Sequence, residues 1–392
     1  MAENNFRWLI LACVWLLIFS VYASVLSTSV VLGEVAEELR LSPSQAGIIL
    51  SSPLVMLAVF ALVGGFLGDV IGPKRTAGAG GLVLGASSLL RGFAGDFHAF
   101  LALSLSLGIG WGLIYPNLPK LIKMWFEEVG TPTGIYSTGI FVGGTMGLAA
   151  TPSLVQPMIG GWRAAFYAWG LMALTASLIW WCLVKEPHRI SGPRVREESR
   201  VIGIFRKKEI WILAVFFGLA GNMTFYVVSG WFPTFFMEKG LSTGAAAMLT
   251  SLVTVISIPF VFLIPLASDR SGRRKPYMWV SSIIAAAAFA GLVYGPEQLY
   301  WALMCLIGVA LTATFIMGLI MPVELVGEGS GAAASGMVIS VGYLIGAAGP
   351  SIAGYLREIT GSLSSSILML SAVLLLSAGL VALLPETGRK SG

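Results

Sequence analysis

The fold this sequence predicts is an all-α membrane protein, with twelve transmembrane helices in two pseudo-symmetric six-helix bundles. Three observations predict it. First, the chain has 392 residues, 56% of them hydrophobic and only 11% charged. A soluble domain carries about 25% charged residues, so most of this surface cannot face water. Second, apolar runs such as 8–32 and 366–384 reach the ~20 residues that cross a ~30 Å hydrocarbon layer. They do not alternate as barrel strands do, and only helices or closed barrels satisfy the backbone in lipid. Third, the sequence repeats itself. "GDVIGPKRTAG", starting at Gly68, sets Asp69, Gly72 and Lys74 between uncharged runs, and "SDRSGRRKP" sets Asp269, Gly272 and Arg274 at an offset of 200.

Gly, Pro and charge clusters break the chain into spans near 8–32, 44–67, 76–95, 98–121, 132–156 and 163–184. After a gap come 209–231, 244–267, 277–295, 298–321, 333–356 and 363–384. The first run is too long for the 7–15-residue core of a signal peptide and reads as a retained helix. The one long polar stretch, 185–208, divides the spans six and six and reads as a solvated linker. The expected domains are therefore 1–184, a linker at 185–208, and 209–392.

Lys and Arg gather on the cytoplasmic side of membrane proteins. With the N-terminus inside, nineteen fall in inner segments and five in outer ones, so both termini are expected in the cytoplasm. The net charge of +5 then follows from topology, and nucleic acid is not expected as a partner. Cys13, Cys182 and Cys305 stand singly, without metal or redox spacing. His98 and His188 are far apart in loops, so neither a metal site nor a catalytic constellation is expected. The chain has no Gly-x-x-x-x-Gly-Lys-[Ser/Thr] loop to cradle a nucleotide phosphate. No cofactor is expected.

The loop after span two reads Gly65, Asp69, Gly72, Lys74 and Arg75. It resembles the signature Gly-x-x-x-Asp-x-x-Gly-x-[Arg/Lys]-[Arg/Lys] of the major facilitator superfamily, and Asp269 and Arg274 belong to a degenerate second copy. The resemblance implies the major facilitator fold: parallel repeats around an axis along the membrane normal, with a solute site near the midplane. It implies a secondary transporter working by alternating access, in which Asp69 latches the halves by meeting the eleventh helix. Gly65, Gly72, Lys74, Arg75, Asp269 and Arg274 are then gating residues. For Lys74 and Arg75, setting topology is the competing role. Gly65 and Gly68 are expected to let another helix approach closely.

A narrower resemblance lies in "GIGWGLIYPNLPKLIKMWF", in the following "GTPTGIYSTGIFVGGTMGLAATPSLVQP", and in "GWRAAF" and "GYLIGAAGPSIAGYL". These look like the cyanate/nitroimidazole permeases and their nitrate/nitrite relatives. The nitrate carriers place an Arg in spans two and eight, whereas 44–67 and 244–267 contain none here. That departure favours a small monovalent anion or a polar neutral molecule over nitrate.

Polar side chains on the spans that line the pathway in related transporters are the candidate solute contacts. They are Tyr22 on span one, Tyr115 and Asn117 on span four, Tyr136 on span five, Asn222 and Tyr226 on span seven, and Tyr343 on span eleven. Asn222, Tyr226 and Ser229 share one helix face. Satisfied hydrogen bonds between helices are the competing role for each. Arg91 is the charged candidate, because charge in a span is costly and needs a reason. It can meet an anion, snorkel to the outer surface or pair with Asp96. The expected partners are a small-molecule substrate and the lipid bilayer, with room for a coupling proton or counter-ion. A multi-pass monomer in the cell (inner or plasma) membrane is expected.

Two other readings stay open. Trp111, Phe141, Trp231, Phe232, Phe235 and Phe236 would suit efflux of drug-like hydrophobic compounds, although 231–236 also reads as an interfacial aromatic belt. A non-transporting membrane sensor is the alternative of another class.

Overall fold

The computed structural model describes residues 2–127, 130–186, 206–326 and 331–388. Most of the expected linker 185–208, with His188 in it, lies outside them. The described residues are almost wholly helical: α1 (Ala2–Glu38), α2 (Pro43–Ile71), α3 (Pro73–Arg91), α4 (Phe97–Ile114), α5 (Asn117–Trp125) and α6 (Gly130–Thr145). α6 runs on through a π-helical segment π1 (Met146–Val155) into α7 (Gln156–Ile159), and α8 (Arg163–Leu183) follows. Beyond the linker come α9 (Lys208–Phe216), π2 (Phe217–Met223), α10 (Thr224–Glu238), α11 (Thr243–Ser271) and α12 (Lys275–Tyr294). The last three are α13 (Tyr300–Val326), α14 (Gly331–Thr360) and α15 (Ser364–Ala382).

Eleven helical stretches among the described residues are long and apolar enough to cross a membrane. The expected third span is also a helix, α3, but four glycines together with Lys74, Arg75 and Arg91 dilute its apolar content. It ends at Arg91, short of the expected 95. The fourth span is broken at Pro116, which precedes α5, because proline removes a backbone donor and crowds the preceding turn. Asp69 and Asp269 are not in loops: each lies in the last turn of its helix. The break between α2 and α3 is Gly72 alone, at φ 98°, with Pro73 opening the next helix. Only glycine adopts that conformation without strain, and proline at a first helical position loses no hydrogen bond.

The 200-residue offset recurs at the opposite helix ends. Ser42 caps α2, its Oγ accepting from Gln45 N while Gln45 Oε1 accepts from Ser42 N. Ser242 Oγ likewise accepts from Ala245 N. Just before each cap the chain turns through a positive φ, 52° at Arg40 and 91° at Gly240. A left-handed residue with a Cβ is disfavoured by roughly 1–2 kcal/mol, part of which glycine gives back as unfolded-state entropy. Arg40→Gly should therefore raise the unfolding midpoint slightly, by about 1 kcal/mol of stability at most. A fall in the detergent-solubilised thermal midpoint would refute this.

Contacts sort the chain into two compact units, Met1–Ile190 with Ser229–Thr254, and Ser191–Val228 with Val255–Gly392. In the first, Ala23, Val31 and Val35 of α1 meet Ile49, Phe100, Phe166 and Trp169 in a closed core. Glycines of α6 and π1 let α1 come to backbone contact: a Cβ at Gly139 would lie 3.0 Å from Trp15 O, and one at Gly147 2.7 Å from Ala23 O. Pro152 inside π1 leaves the Gly147 carbonyl without its π-type donor, and Thr151 Oγ1 supplies one at 2.6 Å. In the second unit the Phe217 ring fills the space left by Gly318 and Gly342.

Candidate functional site

At the Asp69 end of the first unit two residues of span four, Lys120 and Asn117, hold the signature stretch of span two. Lys120 Nζ lies 2.6 Å from Asp69 Oδ1 and donates to Gly65 O at 2.6 Å. Asn117 is fully buried, its Nδ2 donating to Gly64 O at 2.9 Å and to Leu113 O at 2.8 Å. Its side chain occupies the space that a Cβ at Gly68 would need. Asn117, a candidate solute contact, is thus engaged in tying span four to span two. Gly65 differs from the expectation of a crowded glycine, since the nearest atom to a Cβ there is Pro116 Cβ at 4.0 Å. The close approaches belong to its neighbours, Gly64 and Gly68.

The start of α3 is held by a residue the sequence reading passed over. The Glu186 carboxylate accepts from Lys74 N and packs against Gly72. A carboxylate there meets both unpaired N–H groups and the positive end of the helix dipole. Trp180 Nε1 donates to Lys74 O at 2.9 Å, and the Lys74 ammonium lies 6.0 Å from the Trp181 ring. Arg75 is exposed.

The second unit repeats this 200 residues on. Glu386 accepts from Arg274 N at 2.6 Å, as Glu186 does from Lys74 N. The side chains then diverge. Arg274 turns inward and is only 7% exposed. Its Nη1 lies 2.6 Å from Asp269 Oδ1, its Nη2 lies 2.7 Å from Glu324 Oε1, and Ser268 Oγ accepts from Nη1 at 2.9 Å. Burial works against its charge, yet Glu324 and Asp269 hold its pKa above the ordinary arginine value. Thr387 Oγ1 adds a hydrogen bond to Glu324 Oε2 at 2.6 Å. The signal for the two glutamates was their common 112-residue separation from Lys74 and Arg274, each beside a proline.

Deeper in the first unit, the Tyr22 ring meets Trp111 edge-on at 5.3 Å, and both are buried. Tyr136 is buried on α6, and Tyr115 is half-buried just beyond the end of α4. Arg91 corrects two of its three expectations. At 1% exposure it does not snorkel, and Asp96 is engaged elsewhere, its Oδ1 accepting from Ala99 N.

In the second unit three candidates from spans seven and eleven come together. Tyr226 and Tyr343 rings lie 6.3 Å apart, and Tyr343 meets Phe217 at 6.5 Å. Asn222 lies in π2, a wide turn of a kind common at functional sites, and its Nδ2 donates to Phe217 O at 3.2 Å. A Cβ at Gly346 would lie only 2.5 Å from Asn222 Cβ. The expected aromatic belt at 231–236 is corrected too: Trp231, Phe232, Phe235 and Phe236 are all buried, with Phe235 and Phe236 rings 5.3 Å apart. These rings pack into the protein and do not face an interface.

A chain of membrane-length helices that repeats one ion-paired helix break at a fixed offset has the build of a polytopic solute transporter. It belongs to the Major Facilitator Superfamily, whose sequence pattern matches residues 14–350. It is 27% identical to the cyanate transport protein CynX of Escherichia coli (strain K12) over 330 residues, 82% of this chain and 83% of that one. It is also 27% identical to the 2-nitroimidazole transporter of the same strain over 351 residues, 86% and 85% of the two chains. The fold matches the crystal structure of a bacterial homolog of the human lysosomal transporter Spinster, inward-facing and occupied, with TM-score 0.85, 17% identity and 96% of each chain covered. The chain is thus a multi-pass membrane protein and a secondary transporter of small solutes.

Proposed function

We propose that this transporter moves a small polar or anionic solute by alternating access, as a monomer in the cell membrane with both termini in the cytoplasm. The moving halves are 1–184 and 209–392, joined by 185–208. One observation carries the substrate class. The polar candidates, Tyr22, Tyr115, Tyr136, Asn222, Tyr226 and Tyr343, are neutral. Arg91 is the one fully buried charge among the described residues and has no carboxylate in an ion pair. A positive interior with neutral hydrogen-bonding groups favours an anion or a polar neutral molecule over a cation. The cyanate and 2-nitroimidazole relatives fit that class. Purified protein in liposomes should take up labelled cyanate or 2-nitroimidazole saturably and leave cationic dyes alone. Saturable dye transport with neither probe moved would favour the drug-efflux alternative. Repeating the uptake with and without an imposed pH gradient tests proton coupling.

A hydroxyl pair supports the alternating step. Thr145 on α6 and Thr254 on α11 lie 2.8 Å apart, oxygen to oxygen, within the first unit, and a Cβ at Gly144 would lie 3.2 Å from Thr254 Cγ2. A hydrogen bond of this kind is worth about 1 kcal/mol. If it exists in one access state only, Thr254→Val shifts the balance roughly five-fold toward the other. Thiol labelling from each side of oriented vesicles reads the shift, and an unchanged ratio removes this tie from the cycle.

A further inference from the structure

Arg91 makes the interior positive, but that alone does not say what its side chain does where it stands. Its guanidinium is held entirely by neutral groups: Nη1 donates to Thr28 Oγ1 at 3.0 Å, and Nη2 donates to Ser24 O at 3.0 Å and to Ser88 Oγ at 3.4 Å. The Phe166 ring centroid lies 4.6 Å from Cζ and that of Phe100 5.9 Å. Nε is buried without a hydrogen-bond partner. Desolvating a charge against neutral acceptors alone is expensive, and an apolar residue of similar volume packs such a place at lower cost. What the charge achieves must be sought in what it holds.

It holds α1. Two of its three acceptors, the Ser24 carbonyl and the Thr28 hydroxyl, lie one turn apart on that helix. The Ser24 carbonyl also accepts from Ser27 Oγ at 3.2 Å, and Ser20 Oγ donates to Leu16 O at 2.7 Å. Hydroxyls that bond back along a helix loosen it and let it bend. The other flank of α1 rests on the glycines of α6 and π1 at Trp15, Phe19 and Ala23. Between these two supports stands Tyr22, edge-on to Trp111. We infer that Arg91 is a positioning residue: its forked guanidinium fixes the register of α1 through Ser24 and Thr28, and so fixes where Tyr22 stands. The fork, more than the charge, does this, and the phenyl rings and acceptors around it leave no open face for a solute. The inference rests on the proposed reading only in taking Tyr22 as a solute contact.

Arginine and lysine differ at such a site, since lysine keeps the charge but has neither the fork nor the stacking plane. Arg91→Lys should therefore behave like Arg91→Gln, raising KM for cyanate and for 2-nitroimidazole by the same factor, five-fold or more. Thr28→Val, which leaves the charge and nearly the volume, should raise both about three-fold and add nothing to Arg91→Lys in the double variant. Near-normal transport by Arg91→Lys, or a loss confined to the anion cyanate, would mean that the charge itself meets the solute and would overturn the inference. A probe-free readout separates this from the substrate question. In a background with Cys13, Cys182 and Cys305 replaced by serine, a Tyr22→Cys reporter should change its N-ethylmaleimide labelling rate at least three-fold when Thr28→Val is added. Unchanged labelling overturns the positioning role even if transport is impaired. A shifted rate in a protein that moves neither probe supports the role and discards the assigned solutes instead.

Discussion

Arg274→Gln should be far more damaging than Lys74→Gln, although the two positions are equivalent in the repeat. Arg274 is buried between Asp269 and Glu324 and supplies their shared counter-charge. Removing one partner of a buried ion pair typically costs 3–5 kcal/mol, because the remaining charge stays desolvated. Here Glu324 is one-quarter exposed and Asp269 more than half exposed, so water takes up part of that penalty. A loss of roughly 2–3 kcal/mol remains, enough to lower the thermal midpoint by about 2–4 °C. Lys74 contributes its backbone N–H to Glu186, while its side chain lies half-exposed over Trp181. Lys74→Gln should cost at most a few tenths of a kcal/mol, in line with exposed charges in general. Arg274→Lys should fall between, keeping the charge and losing the forked contact. Thermal unfolding in detergent of the three variants decides this, and equal losses for Arg274→Gln and Lys74→Gln would show that Arg274 is not the centre of its cluster.

The divergence of these two positions also marks how far the sequence could be read. The helices were legible because their signal is local: long apolar runs, and breaks at Gly72 and Gly240, whereas the break at Pro116 was read through as part of span four. The repeat was legible because Asp69 and Asp269 keep one offset. Glu186 and Glu386 keep the same offset, but each acts on an amide 112 residues away, and nothing near them announces that contact. Charge density made the region around Glu186 look solvated. Arg91 was legible as unusual, and its acceptors were not, since serines and threonines on α1 and α3 carry no mark of where a distant guanidinium will point. The wide turns are the least readable feature. Pro152 hints at π1, whereas Phe217–Met223 contains no proline at all. Asn117 shows the general difficulty: a polar residue deep in a span reads the same whether it meets a solute or a neighbouring backbone.

The adjacent glycines of span two give the sharpest test of that packing, and Gly64→Val should be the more disruptive by a wide margin. A Cβ at Gly64 would stand 2.6 Å from Gly112 O and 2.8 Å from Leu113 Cα. Both are backbone atoms, so relief requires α2 and α4 to separate. Overpacking costs about 1–3 kcal/mol where side chains can move aside, and here they are not what is in the way. The Gly64 carbonyl is also the acceptor of Asn117 Nδ2, so separation breaks the tie that holds span four, with its Lys120, beside Asp69. Helices in lipid gain nothing from burying apolar surface against each other and depend on such close fits, so the loss is not recovered elsewhere. Gly65→Ala, one residue on, places its methyl 4.0 Å from Pro116 Cβ, which is ordinary contact. It should fold, express and transport like the parent, with a slight gain in helix stability from replacing glycine. Monodispersity on gel filtration and uptake rate can be compared directly for Gly64→Val, Gly64→Ala and Gly65→Ala. Equal tolerance of both alanine variants would mean that α2 and α4 are not in backbone contact at Gly64. A dead but monodisperse Gly65→Ala would mean that the signature position needs its small size during transport, since alanine keeps the carbonyl that accepts from Lys120.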